Sequence, residues 1–394
     1  MSTTTKKCQC CPNTNTESSD TIFIVDHASG LVLCSDCVLC FSKSLEYIAE
    51  KEEIQEIEDI PLPLPKHIYE ALDRHVVRQE ESKKTISIAV AHHYRRLKDP
   101  SIGKSNILIV GPTGTGKTEL GRAVANYLQV PFVVIDATTI TAKGYMGEDA
   151  DSCIKRLVVS AGFDKDKAEK GIIFIDEIDK IAKRDSSDNN STTTAVQQQL
   201  LKIMEGSQIS VKIPNEKGGD STIVIDTSKI LFICSGAFPD LEKISSEKGM
   251  NSIGIAAKIE PIAETTKIKS KHLLEYGLIP EFLGRLPVIT TTHPLSIDDL
   301  IQILTEPQNS LTNQYKKLFL QDQVKVIFSK DLIKEIAQQA YEQKTGARGL
   351  RSIFEEKIKN LYFNIDHFLG KTVNIHKNEL IKIENEDSNT KIAA

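Results

Sequence analysis

The stretch "NILIVGPTGTGKTELGRAVANYL" constrains this chain more than any other. An apolar run enters a glycine loop, and an amphipathic helical pattern starts at the loop's lysine. Gly111 to Thr118 fits G-x-x-x-x-G-K-[ST], with the strand before it and the helix after it that the pattern requires. The glycines let backbone N–H groups turn towards phosphate oxygens, and the new helix aims its positive end at the same anion. Pro112, Thr113, Gly114, Thr115, Gly116, Lys117, Thr118 and Glu119 are the candidate nucleotide contacts. Lys117 suits the β- and γ-phosphates, and the Thr118 hydroxyl suits Mg²⁺.

Around this loop, strands alternate with helices. "PFVVIDA", "GIIFIDE" and "KILFICSG" read as strands, and "DSCIKRLVVSA" as a helix. That order predicts an α/β fold with a parallel, doubly wound sheet. Asp176 and Glu177 follow the apolar run Ile172–Ile175. Ligands in open α/β sheets sit at the C-terminal ends of strands. There, paired carboxylates suit Mg²⁺ coordination by Asp176 and polarisation of an attacking water by Glu177. The plainer alternative is that both cap the next helix; Asp179 and Lys180 read as surface charges. Arg285 in "IPEFLGRLPV" and Arg348 in "TGARGLR" carry planar guanidinium groups, which can stabilise a transferring phosphoryl group or form ordinary salt bridges. A helical pattern runs from Lys66 through "IYEALDRHVVRQEESKKTISIAVAHHYRRL". From about Thr292 helices dominate, in "SIDDLIQILTEPQNSLTNQYKKLF", "SKDLIKEIAQQAYEQ" and "GLRSIFEEKIKNLYFNI". "KRDSSDNNSTTT" and "PNEKGGDST" read as polar loops, and "NEDSNTKIAA" as a frayed tail.

Composition decides the rest. Six of the eight cysteines lie in the first 40 residues, which points to metal rather than disulfides. Cys8-x₂-Cys11 and Cys34-x₂-Cys37 are separated by 22 residues, a spacing for tetrahedral thiolate ligation of Zn²⁺. "TIFIVDHASGLVL" between the pairs reads as two short strands and a turn, as in a zinc ribbon. So small a head needs such a staple. Cys10 and Cys40 are spare thiols, and Cys10 is an alternative ligand to Cys8 or Cys11. Cys153 and Cys234 sit in apolar contexts and read as packed. The formal charge of −5 gives no overall cationic field, so nucleic acid is not an expected partner. No run of 18 apolar residues exists, so no membrane span is expected. The N-terminus lacks an apolar signal core. The expectation is a soluble, cytoplasmic protein.

With the cysteine head, the glycine loop, "FIDEIDK", "GLIPEFLGRLP" and "KTGARGLRSI" in this order, the chain resembles the ClpX family, the AAA+ ATP-binding unfoldases of the Clp protease. The resemblance implies a homohexameric ring with ATP bound between subunits, and ATP hydrolysis that threads protein substrates through the pore to the ClpP peptidase, with no peptidase activity of its own. Arg285 matches the family's arginine finger and Arg348 its sensor 2. Val76 and Val77 match the apolar pair that packs on adenine. Gly144-Tyr145-Met146-Gly147 matches the substrate-gripping pore loop, and Ile253-Gly254-Ile255 the loop that docks on ClpP. From Tyr145 and Met146 alone, a local packing anchor is the other reading. The implied division is a zinc-binding, dimerising head for adaptors and substrates (1–48), a linker (49–65), a large ATPase domain (66–291), a small helical domain (292–384) and a tail (385–394). Three features depart from the family: no basic Arg-Lys-His triplet in "NEKGGDST", no arginine before "VQQ", and Ile255 where the docking loop has Phe. The lost ring weakens docking by about 1 kcal/mol per loop, so the alternative function is a ClpP-independent protein remodeller.

Overall fold

The computed structural model describes residues 7–11, 22–25, 31–39, 42, 62–140, 150–182, 190–214, 220–239, 241, 268–376 and 382–384. Tyr145, Met146, Ile253, Gly254, Ile255 and Cys40 lie outside them. The chain divides into two units, residues 1–62 and 63–394. In the first, β1 (Phe23–Val25) pairs antiparallel with β2 (Val32–Cys34), as the ribbon pattern predicts.

The second unit is built on a five-stranded parallel sheet. Its strands are β3 (Ile107–Val110), β4 (Phe132–Asp136), β5 (Ile172–Asp176), β8 (Leu231–Gly236) and β9 (Val288–Thr291), in the order β4-β5-β8-β3-β9. Side chains alternate across a strand, and the sheet uses both faces. Leu108, Val110, Ile173, Ile175, Phe232 and Cys234 enter one core cluster. Ile107, Ile109, Ile172, Phe174, Leu231 and Ile233 enter the other. The second cluster is covered by α1 (Pro65–Asp73), α2 (Glu80–Arg96) and α3 (Lys117–Leu128). The first is covered mainly by α4 (Asp151–Ser160) and α6 (Asn190–Glu205). A short α5 (Lys165–Glu169) leads into β5. Cys153 and Cys234 are fully buried, as their contexts predict.

Several elements differ from the sequence reading. The pattern from Lys66 is two helices broken at Arg74–Gln79, where Arg78 and Gln79 take left-handed φ of 60° and 66°. Tertiary bonds hold that break. The Gln79 side chain, almost fully buried, pairs with the His293 backbone at two points, accepting from its N–H and donating to its carbonyl, both at 2.8 Å. Residues 190–194, read as loop, begin α6, because Val196, Leu200, Ile203 and Met204 dock one face of that helix in the core. Residues 220–222, also read as loop, open β7 (Asp220–Asp226), which pairs with β6 (Gln208–Pro214). Among the described residues the pair buries Ile209 and Val211 of β6 and Ile225 of β7, with Ile223 packed beside them, too short an alternation on either strand to stand out. β9 is a further strand, one that the sequence pattern does not announce.

Residues 295–375 close a third core. It is helical, as expected, through α9 (Ile297–Thr305), α10 (Leu311–Gln321), α11 (Lys330–Glu342) and α12 (Ala347–Phe363). It also carries a small sheet of β10 (Lys325–Phe328), β11 (Thr372–Ile375) and β12 (Lys382–Glu384). α7 (Ser270–Tyr276) and α8 (Pro280–Gly284) precede β9.

The Gln79 pairing is directly testable. Gln79→Glu can still accept from the His293 N–H but sets a carboxylate against the His293 carbonyl. It should cost about 1–3 kcal/mol, read as a lowered thermal unfolding midpoint, and an unchanged midpoint would refute the two-point pairing.

Candidate functional site

Each part of the site hangs on the end of one strand. β3 delivers the phosphate loop, β5 the carboxylates, and β8 the segment beside them. β3 lies between β8 and β9, so its C-terminal end sits where the strand order switches direction, the usual ligand crevice of such sheets.

Two glycines make the loop. Gly116 has φ of 91° and sits 3.5 Å from the Val76 side chain, measured from where a Cβ would stand. Gly114 has φ of 77°, and a Cβ there would lie 2.7 Å from the Thr345 carbonyl. Only glycine meets both demands without strain. Lys117 opens α3 and is largely buried. Its ammonium donates to the carbonyls of Gly111 and Pro112 at 2.7 and 2.8 Å. Burial lowers its pKa and Arg348 adds to that, while Asp176 and Asp179 oppose it. A triphosphate would offer this ammonium anionic acceptors, which bind more strongly than neutral carbonyls.

The carboxylates are held from several directions. Asp176 accepts from the Thr118 hydroxyl at 3.2 Å, from the Glu177 N–H at 3.0 Å, and from the Ser235 hydroxyl. This brings together the two side chains the sequence assigns to Mg²⁺. Glu177 is exposed and takes a left-handed φ of 58°. It does not cap through its side chain; the short turn after it carries no side-chain cap bond. Asp179 is not the surface charge expected. It is 2% exposed, and one oxygen accepts from the Ala237 N–H at 3.1 Å. Its other oxygen lies 3.5 Å from the Lys180 ammonium, which is half exposed.

Val76 is buried beside Gly116, and Val77 is half-buried. Arg348 lies on the first turn of α12, exposed, close enough for its charge to act on Lys117. Pro112, Thr113, Thr118 and Glu119 line the loop and the start of α3; Thr115 is buried, its hydroxyl 2.7 Å from that of Thr292. Arg285 stands apart. It follows α8 and pairs with Glu205 at 2.8 Å. Its guanidinium is held by Glu205 on α6, and the structure does not join it to the phosphate loop among the described residues. Ser235, Thr292 and Gln79 were not singled out from sequence. Only Ser235 left a trace there, as a polar residue at the end of an apolar strand.

In the other unit, the sulfurs of Cys8, Cys11, Cys34 and Cys37 all lie within 4.8 Å of one another. Cys8–Cys37 and Cys11–Cys34 are 3.8 and 3.5 Å apart. Zn–S bonds of about 2.3 Å in a tetrahedron put sulfurs about 3.8 Å apart, so the donor set fits Zn²⁺. Burial raises the Cys8 pKa, but backbone hydrogen bonds from Cys10, Cys34 and Cys11 outweigh it and bring the thiol down to about 6. Cys10 is exposed and outside the group.

Comparison with known proteins now decides the family. Residues 103–289 match the model for the AAA domain (Cdc48 subfamily), and residues 295–364 the C-terminal D2-small domain of ClpB protein. The ATP-dependent Clp protease ATP-binding subunit ClpX of Treponema denticola is 39% identical over 385 residues, 92% of this chain and 91% of that protein. The subunit of the same name from Porphyromonas gingivalis is 42% identical over 371 residues, covering 88% of this chain and 89% of its own. ClpX 2 of Wolinella succinogenes is 40% identical over 343 residues, 84% of this chain and 85% of its own. This chain belongs to the ClpX family. As a ClpX-family protein it is an AAA+ ATPase, with ATP and Mg²⁺ as its cofactors. Among the described residues, no helix is long and apolar enough to cross a membrane.

Zinc stoichiometry tests the ligand set. The purified chain should release about one Zn²⁺ to a chromogenic chelator when its thiols are blocked. Cys34→Ser should abolish that release and Cys10→Ser preserve it. Retention should fail as pH falls, because protons compete for the thiolates.

Proposed function

We propose that this chain is an ATP-driven protein unfoldase of the Clp system. In this reading it forms a homohexameric ring in the cytoplasm, threads protein substrates through the central pore and delivers them to ClpP. The observation that carries it is the joint placement of Lys117, Thr118 and Asp176 with the first turn of α12, where Arg348 lies. A nucleotide at the loop is thereby in touch with the helical part of the unit, as a motor requires. The relatives' printed names, ATP-binding subunits of the ATP-dependent Clp protease, support the partnership with ClpP.

The residues take these roles. The loop from Pro112 to Glu119 cradles the phosphates, with Lys117 neutralising them. Thr118 and Asp176 hold Mg²⁺, which supplies charge neutralisation at the phosphates. Glu177 orients and polarises water. Val76 and Val77 pack on the base. Arg348 reports the nucleotide to residues 292–384. Arg285 leaves Glu205 and reaches the neighbouring subunit's nucleotide. Cys8, Cys11, Cys34 and Cys37 hold Zn²⁺ in a head spanning residues 1–48, which dimerises and receives substrates and adaptors. Residues 66–291 act as the large domain, joined to the head by 49–65 and followed past 384 by a tail. Tyr145 and Met146 grip the polypeptide, and Ile253-Gly254-Ile255 contacts ClpP. A second reading, a remodeller independent of ClpP, is favoured by one observation, Ile255 in place of an aromatic ring.

Degradation separates these readings. The purified chain with ClpP of its own organism should destroy a tagged folded substrate only with ATP. Tyr145→Ala should keep ATPase activity and lose degradation. Ile255→Phe should tighten ClpP binding about fivefold per loop contact, from the ring's apolar area. No ATP-dependent substrate loss with wild type or Ile255→Phe would leave the remodeller reading standing.

A further inference from the structure

The acidic turn after β5 is pinned from one side by the end of β8. Ser235 is fully buried, and its hydroxyl donates to Asp176 Oδ1. Two residues on, the Ala237 N–H donates to Asp179 Oδ1 at 3.1 Å. Asp176 and Asp179 flank Glu177, whose left-handed φ of 58° costs a non-glycine residue free energy. Such a conformation persists only where the surroundings over-determine it. Here the constraints include the Ser235 bond from the end of β8, the Ala237 bond just beyond that strand, the Glu177 N–H bond to Asp176 Oδ1 at 3.0 Å and the Lys180 N–H bond to the Glu177 carbonyl at 3.0 Å.

The two Asp176 oxygens are also held differently. Oδ2 accepts from the Thr118 hydroxyl on the loop side, and Oδ1 from Ser235 and the Glu177 amide. With Oδ1 tied on two sides, the carboxylate cannot rotate about its own axis, and Oδ2 stays towards Thr118. Without the Ser235 hydroxyl, Oδ1 keeps only the local amide and the carboxylate regains rotational freedom. A buried polar group that loses its partner also carries a desolvation cost. Among the described residues the Ser235 hydroxyl donates to Asp176, so its influence on Mg²⁺ passes through that carboxylate.

We propose that Ser235 is a positioning residue for the ATPase reaction: its hydroxyl fixes the Asp176 carboxylate towards the Thr118 side for Mg²⁺ and steadies the strained turn that presents Glu177. This rests on the reading of Asp176 and Thr118 as the Mg²⁺ side chains. Groups that orient metal-binding residues typically carry about 10–100-fold in metal affinity or activity.

The test is a Mg²⁺ titration of fluorescent ADP binding by the full chain, with no turnover. Ser235→Ala should bind ADP without Mg²⁺ as wild type does. The Mg²⁺ concentration giving half of the metal-dependent tightening should rise about tenfold. In steady-state ATPase assays kcat should fall more than KM changes. An unchanged Mg²⁺ midpoint in Ser235→Ala overturns the proposal. Asp176→Asn runs alongside. If Asp176→Asn also leaves the midpoint unchanged, the assignment of Asp176 to Mg²⁺ fails and the Ser235 role falls with it; a shifted Asp176→Asn midpoint with an unshifted Ser235→Ala one defeats Ser235 alone. Should Ser235→Ala fail to fold, Ser235→Thr and Ser235→Val form an isosteric pair differing by the hydroxyl. The proposal requires a lower Mg²⁺ midpoint for Thr than for Val, and equal midpoints overturn it.

Discussion

The Ala347 amide donates to the Gly114 carbonyl at 3.1 Å, and the site's organisation depends on that contact. It joins the middle of the phosphate loop to the first turn of α12, which belongs to a different core. The approach is so close that a Cβ on Gly114 would meet the backbone of residues 345–347. On the loop's other side, Thr115 meets Thr292, whose N–H donates to the Val110 carbonyl at 2.8 Å. The loop is thus held both by the segment entering the helical part and by the helix that carries Arg348. A ligand that reshapes the loop changes contacts at both places, which is how a local binding event acquires a distant consequence.

A second set of bonds frames the same junction. Gln79 pairs with His293, the Ser82 hydroxyl donates to the Thr291 carbonyl, and Arg78 forms an ion pair with Asp299 at 2.7 Å. The Asp299 carboxyl is held below its ordinary pKa; burial opposes this, and the Ser296 hydrogen bonds and Arg78 outweigh it. Lys83, almost fully buried, ties Asp73 to the Val76 carbonyl and stiffens the turn that presents Val76 to Gly116. Two left-handed residues, Arg78 and Gln79, are tolerated because these bonds leave the turn no alternative. The exposed Arg78 pair adds little to stability by itself; the buried Gln79 pairing carries the geometry.

Much of this was legible in the sequence where local chemistry alone decides. The glycine loop, α3 and β3 were readable because strand, loop and helix are contiguous and each has a strong local signal. Asp176 was readable because an apolar strand points to its own end. The cysteine group was readable from spacing. What escaped has a common physical cause. Gln79 looks like any polar residue in a helical run, and its burial exists only because His293, over 200 residues away, lies against it. Asp179 looks like a surface charge until β8 covers it. The start of α6 looks like a polar loop, since its helicity comes from packing further along. β6 and β7 bury too few residues to announce themselves. Local pattern reports propensity, and tertiary contact overrides it at junctions such as these.

The most direct measurement is unfolding itself, without a peptidase. A folded fluorescent reporter bearing an unstructured tail is mixed in excess chain, and its fluorescence followed with ATP, with ADP and with Glu177→Gln. If the site at Lys117, Thr118 and Asp176 drives unfolding, fluorescence falls with ATP and wild type only. ATP hydrolysed at full rate while the reporter stays folded would contradict it.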